Sequence, residues 1–391
     1  MESLSDVDAV ARAQSVAQVV ADAAAEIERV RELPSQLLDK LHDARLFRLL
    51  LPADVGGDEL DPVTLSKVTE TIAAADASTA WCLGQGAGCA MAAAFLEPDA
   101  AQEIFGPREA VLAWGAGIQG KAIVVDGGYR VSGRWAFASG SRHATWLGGH
   151  SYVFEADGSP RLGADGRKID RSMLFTRSKA IIEDNWHVVG LRGTGSDSYS
   201  VEDLFVPEAH TINREDPVER RAQGQVFKLT TTQVFASAFA GVMLGIARGM
   251  LTDLTVLAMT KTQRGASSSL LDSQMFHAQL GDLEARFRAT RAYLHTAQAE
   301  MWQDVLSGAT LSMAMRANIR LATTHAINQG ADVVAEAYRL AGQNAIFQGA
   351  PFERRLRDAN AVSQQVQGRK THYATVGRIF LGLEPDATMF L

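Results

Sequence analysis

The chain has 391 residues, and 47% of them are hydrophobic, enough for a large core and for two or three structural domains. Its formal net charge is -7, with no cluster of Lys and Arg, which excludes a phosphate-backbone footprint and gives no nucleic acid as partner. Residues 1–8 are acidic and no apolar run follows them, so no secretory signal is expected; with two cysteines, the chain reads as a reduced, cytoplasmic protein.

In chain order, Val7 to Arg31 carries Ala, Val and Glu at helical spacing. Pro34 suits a helix start, and Ser35 to Arg45 continues it. Pro52 and the Gly56-Gly57 pair force a turn. Leu60 to Ala75 is helical again, and Asp76 to Ala80 offers N-caps for an Ala-rich helix running through Phe95. Cys82 and Cys89 share a face of that helix but are too far apart to bond, and they read as small buried hydrophobes.

Gly115 to Gly120 matches the dinucleotide fingerprint in letters. A β-branched stretch, Lys121 to Val125, follows it where that fingerprint needs a helix, so a Rossmann reading is rejected and a Gly-rich loop at a pocket edge is left. From Gly128 to Pro207 apolar and polar residues alternate between Gly breaks, the mark of short strands. After Gly224 the period changes. Phe227–Met259, Ser273–Val305, Leu311–Leu340 and Phe352–Phe380 predict four long helices, which suits a bundle whose apolar faces also favour an oligomer. The most apolar run, Val234 to Ala247, is too short to span a bilayer and reads as a buried helix, so no membrane is expected. The fold class is α+β, mostly α: an N-terminal helical domain over 1–110, a middle β domain over 111–213 and a C-terminal four-helix bundle over 224–391.

No pair of cysteines or helical His-x-x-x-His with Glu is spaced for zinc, so no metal is expected. There is no Gly-x-Ser-x-Gly elbow and no phosphate loop. The nine histidines are scattered. The chemistry must then come from a bound organic cofactor.

Several segments carry a resemblance. They are Leu46-Phe47-Arg48 with Pro52 and Gly56-Gly57, Phe137-Ala138-Ser139-Gly140, Gly190 to Ser196 with Val206-Pro207, the helix start at Gln274, Leu340-Ala341-Gly342, and Arg355 to Ala359. Together they resemble the acyl-CoA dehydrogenase superfamily over nearly the full chain, which implies a middle β-barrel and, in most members, a tetramer. Three departures matter. The dehydrogenases' carboxylate base is matched by Gln367 before Gly368, and an amide has no basic lone pair. Their loop before the barrel is replaced by Trp114 to Gly120. Their flavin-diphosphate Arg motif survives only as Lys261 to Gly265. The run Trp135 to Trp146, with Trp186 to Ser196 and Tyr373 to Pro385, is instead similar to the flavin-dependent monooxygenases on this fold, the oxygenase components of two-component systems.

That resemblance implies reduced FMN or FAD delivered by a separate flavin reductase, molecular oxygen as co-substrate, and oxygen transfer from a C4a-hydroperoxyflavin to a small aromatic, heteroaromatic or amine substrate. It has Ser139 donating near flavin N5 and Phe137 packing on the ring, with Trp114, Arg192, Thr194 and Ser196 on the cofactor side. The peroxide-holding group is His372, Gln365 (or its neighbour Gln364) or His143. Trp81, Phe227 and Phe235, with Trp114, would line the substrate pocket, between the N-terminal helices and the bundle. The alternatives are a dehydrogenase with a displaced base, Glu353 or Glu336, and a non-catalytic flavin-binding protein.

Overall fold

The computed structural model describes residues 8–214, 216–261, 269–387 and 391. Helix α1 (Ala9–Val30) starts at Asp8, whose carboxylate accepts from Val10 N–H. Helix α2 is Ser35–Asp43. Asp61 caps α3 (Pro62–Ala75), accepting from the amides of Val63 and Thr64 at 2.9 and 3.0 Å. Asp76 caps α4 (Ala77–Ala90), accepting from Thr79 N–H at 2.7 Å. The expected continuation to Phe95 is a 3-10 turn, Met91–Phe95, and α5 is Pro98–Phe105.

The middle strands are β1 (Leu112–Trp114), β2 (Gly120–Val125), β3 (Gly128–Trp135), β4 (Trp146–Phe154), β5 (Asp170–Thr176), β6 (Ile181–Glu183), β7 (Ser198–Pro207) and β8 (Thr211–Ile212). They form one mixed sheet in the order β6-β7-β3-β2-β4-β5-β8, with β1 paired to β4. The β1–β4 and β2–β4 pairs are parallel and the others antiparallel. Trp135 sets the packing inside it. A Cβ on Gly120, Gly133 or Gly149 would stand 2.4–2.7 Å from its indole, so three glycines on three strands cut the slot it fills. Its Nε1 donates to the carbonyl of His150 at 2.9 Å.

Two segments depart from the expected strands. β3 stops at Trp135, because Phe137 takes φ 62, the left-handed region, and turns the chain through Ser139 and Gly140. Residues 186–196 form a loop with a 3-10 turn, Arg192–Thr194, set between left-handed Leu191 (φ 52) and Gly195 (φ 49).

Helices α6 (Thr231–Thr260), α7 (Gln274–Leu306) and α8 (Met313–Ala341) match the predicted periods. The fourth does not. It is two helices, α9 (Pro351–Gln364) and α10 (Thr371–Phe380), separated by Gln365 in an extended conformation and a 3-10 turn, Val366–Gly368. Side chains of α8 satisfy the carbonyls freed there. Asn328 Nδ2 donates to Gly368 O at 2.9 Å, and Thr324 Oγ1 to Gln367 O at 3.3 Å. Helix α6 is the centre of the molecule, packed against α3, α4, α8 and α9. It is long and apolar enough to cross a membrane, yet 89% of its most apolar window is buried inside the protein, as a core helix would be. Each Leu, Met or Phe buried along it contributes about 1.5–3 kcal/mol.

Candidate active site

A cavity of about 720 Å³ opens between α4, α6, the loops after β3 and β6, and the α9–α10 break. Its helical wall is aromatic. Trp81 of α4 stacks on Phe239 of α6 at 3.8 Å and 6°, and Phe239 stacks on Phe235 at 5.6 Å and 7°. Phe235 lies across α4 because Gly88 leaves room; a Cβ there would stand 2.2 Å from the ring.

The opposing loop wall carries a row of hydroxyls. Trp81 Nε1 donates to Ser139 Oγ at 2.9 Å. Ser139 Oγ is 2.7 Å from Ser196 Oγ, which is 2.6 Å from Thr194 Oγ1, and Thr194 donates to the Leu191 carbonyl at 2.9 Å. Phe137 is 65% exposed, and its ring stands edge-on to Trp186 at 6.1 Å. A large apolar side chain on a left-handed residue beside a cavity is strain of the kind found at binding sites. Two buried carboxylates pin this wall. Asp197 accepts from Trp186 N–H at 3.0 Å, Asn185 N–H at 3.2 Å and Arg142 Nε at 2.7 Å. Asp358 of α9 accepts from Leu191 N–H at 2.7 Å; burial, and then the nearby Asp76, push its carboxyl up to about 7.

A third wall comes from the sheet. His150 of β4 is buried, with Nδ1 2.7 Å from Ser172 Oγ and its ring edge-on to Trp114 at 5.0 Å. Burial first, then the Arg214 charge, holds its pKa well below the ordinary imidazole value, so it is neutral at physiological pH. The Arg214 guanidinium lies 5.0 Å over the Trp114 ring.

The α9–α10 break closes the cavity with Gln364, Gln365, Gln367 and Arg369. Gln365 Oε1 accepts from Gln367 N–H at 2.8 Å, while Gln365 Nε2 is buried with no hydrogen-bond partner among the described residues. Gln367 Oε1 accepts from Arg320 at 2.7 Å, so the amide matched to the dehydrogenase base is held by a cation.

The cavity thus brings together Trp81, Trp114, Phe137, Ser139, Thr194, Ser196, Phe235 and Gln365. Four other candidates do not line it. His143 is half-buried against Phe47 at 5.6 Å, and desolvation of its ring pushes the imidazole down to about 3. His372 lies behind the break, with Nε2 2.8 Å from Val366 O. Arg192 leans outward on Glu28 of α1 at 3.5 Å. Phe227 is buried in the 3-10 turn Gln225–Lys228, and its carbonyl accepts from Arg220 at 3.2 Å. Neither alternative base lines the cavity: Glu353 pairs with Arg357 and Glu336 with Arg286, each at 2.7 Å. Residues 262–265 of the expected diphosphate motif lie outside the described residues. The sequence reading missed His150, Gln85, Trp186 and Arg214. A His inside the mostly apolar Trp146–Phe154 run was the available signal for the first; Arg214 sits in the unassigned stretch between the expected domains.

Residues 7–103 match the family model of the acyl-CoA dehydrogenase N-terminal domain, and residues 237–368 that of the acyl-CoA dehydrogenase C-terminal domain. Indole-3-acetate monooxygenase of Pseudomonas putida is 30% identical over 92% of this chain and 90% of its own. The flavin-dependent monooxygenase oxygenase subunit HsaA of Rhodococcus jostii is 28% identical over 90% of this chain and 92% of its own. The structure of XiaF from a Streptomyces species, in complex with FADH2 and glycerol, covers 97% of this chain and 96% of its own at a TM-score of 0.88 and 26% identity. The chain belongs to the acyl-CoA dehydrogenase superfamily, in its branch of flavin-dependent monooxygenase oxygenase components. It is an oxidoreductase that depends on reduced flavin, a hydroxylase built on the dehydrogenase scaffold.

Proposed function

We propose that the protein hydroxylates a small aromatic or heteroaromatic compound of the indole class inside this cavity, using reduced FMN or FAD supplied by a separate flavin reductase. The reading is supported by the cavity itself, which sets the Trp81–Phe239–Phe235 stack opposite the Ser139 hydroxyl, with Gln365 among its lining residues. The cavity volume falls in the range of sites that enclose a ring system. When bound, the reduced flavin would supply the electrons that activate molecular oxygen, from which the transferred atom comes. Phe137 and Trp186 would cover the flavin ring, Ser139 would hydrogen-bond its reactive edge, and Arg369, exposed at the mouth, suits its phosphate. Gln365 Nε2 would hold the oxygen to be transferred, and the Trp81–Phe239–Phe235 stack would seat the substrate and exclude water. Gln367, an amide bonded to Arg320, offers no base for α-proton abstraction, which disfavours dehydrogenation. The three sequence-defined domains, the cytoplasmic location and a homotetramer complete the proposal.

Rapid mixing tests it. The anaerobic protein with reduced FMN or FAD is mixed with oxygenated buffer and its absorbance followed. A transient spectrum unlike either oxidised or reduced flavin, outliving free-flavin oxidation, is expected. Direct return to oxidised flavin at the protein-free rate would sink the reading.

A further inference from the structure

Two histidines line the cavity, and they are held differently. His187 is exposed in the loop after β6, with Nδ1 3.3 Å from the Arg31 guanidinium. His150 is buried in β4 and is fixed at three points. Its carbonyl accepts from Trp135 Nε1 at 2.9 Å and from Gln119 N–H at 3.1 Å. Its Nδ1 lies 2.7 Å from the hydroxyl of Ser172, its direct partner on β5. Its ring stands edge-on to Trp114 at 5.0 Å.

Nε2 has no hydrogen-bond partner among the described residues. Nor is it one of the side-chain atoms that are both sealed off and unpartnered, as Nε2 of His143 and of His295 are. It therefore keeps open surface, and the space that His150 lines is the cavity.

The bond to Ser172 settles which nitrogen carries the proton. A neutral imidazole has one N–H and one lone pair. With the proton on Nδ1, Ser172 Oγ would accept it, and the buried hydroxyl hydrogen would have no acceptor among the described residues. An orphaned buried donor forfeits its hydration with nothing in return. With Ser172 donating to Nδ1, both groups are satisfied and the proton sits on Nε2. Burial, and then the Arg214 charge, keeps the ring uncharged. The sheet wall thus presents one fixed, neutral N–H to the cavity.

We propose that His150 orients the substrate, its Nε2–H donating to an oxygen acceptor on the ring system, so that the cavity selects fused rings bearing such an acceptor over the same rings without one. A carbonyl oxygen is the simplest case, since it can only receive. Calling the bound compound a substrate rests on the monooxygenase reading; the donor rests on His150 and Ser172 alone.

The test is calorimetric titration of the full-length protein, without flavin, with 1-indanone and, separately, indane. Both have a six-membered ring fused to a five-membered one, and only the ketone has an acceptor. The ketone should bind roughly threefold to tenfold more tightly, the ratio of one neutral hydrogen bond. His150→Phe, which fills the place of the ring without the donor, should bring the ratio close to one by weakening the ketone and sparing indane. Ser172→Ala, which frees the imidazole proton to move to Nδ1, should lower the ratio and is the decisive variant if the Phe protein does not fold. The infrared carbonyl band of isotope-labelled ketone should lie at lower wavenumber in the unaltered protein than in the variant, a shift that packing alone would not produce. Equal affinities in the unaltered protein, an unchanged ratio or band in the variant, or no binding of either compound would overturn the proposal. Ketone preference without the transient spectrum would sink the oxygenase reading and leave the donor. The transient spectrum without ketone preference would do the reverse.

Discussion

The helical and loop walls of the cavity are built on opposite principles. On α4 and α6, stacked rings hold one another by contact area, and each ring has several neighbours. Between 135 and 197, position depends on a few directional bonds to buried polar atoms, chiefly Asp197 and Asp358. Packing by area is redundant and tolerates exchange of shape for similar shape. A wall pinned by single carboxylates is accurate but fails at one point.

Breaking the pin should therefore cost more than thinning the stack. Asp197→Ala, which leaves Arg142 without its buried partner, should lower unfolding free energy by about 3 kcal/mol in urea denaturation, against about 1 kcal/mol for Phe239→Leu. Equal losses would erase the contrast. Trp81 belongs to both walls and separates them further. Trp81→Phe keeps the stack but removes the N–H to Ser139. Product formed per reduced flavin should fall roughly fivefold to tenfold, with hydrogen peroxide making up the difference, while stability changes by less than about 1 kcal/mol. A large melting shift with intact coupling would assign Trp81 to packing alone.

A pH-dependent effect concerns Asp358. Its folded-state value, about 7, lies above that of an unfolded aspartate. Between about pH 4 and pH 7 the folded protein therefore binds the extra proton, and stability from this group falls as pH rises through that window. Asp358→Asn retains an acceptor for Leu191 N–H without the charge. Thermal melting across pH 4–8 should show a flatter profile for the variant and a gain above pH 7; parallel profiles would show that this carboxyl does not govern the slope.

What was legible in the sequence followed from local rules. Asp76 and Ser273 cap the helices where the pattern places them, and the long periods of α6, α7 and α8 survive folding. What was not legible depended on distant partners. Nothing local breaks the fourth long helix; Thr324 and Asn328 of α8, some forty positions earlier, satisfy the carbonyls that let it open. The run Ala136 to Ser139 carries no turn signal before Gly140, and only the left-handed Phe137 reveals the turn. At the site, the aromatic and hydroxyl residues were visible through family pattern. His150 and Arg214 were not, because one hides in a buried strand and the other in a stretch without period.

The hydroxyl row has a direction. Each Ser or Thr has one hydrogen to give, and the Leu191 carbonyl can only receive. Thr194 gives its hydrogen to Leu191, so Ser196 gives to Thr194 and Ser139 gives to Ser196, while the indole of Trp81 fills one lone pair of Ser139. Ser139 is left with its remaining lone pair and no hydrogen to offer. The expected donation from Ser139 is thereby replaced by acceptance: under the proposed placement a partner must bring the hydrogen itself, as a reduced flavin would on N5 and an oxidised one would not. In the proposed placement, the rotational setting of three hydroxyls would favour the reduced cofactor over the oxidised one before any oxygen arrives.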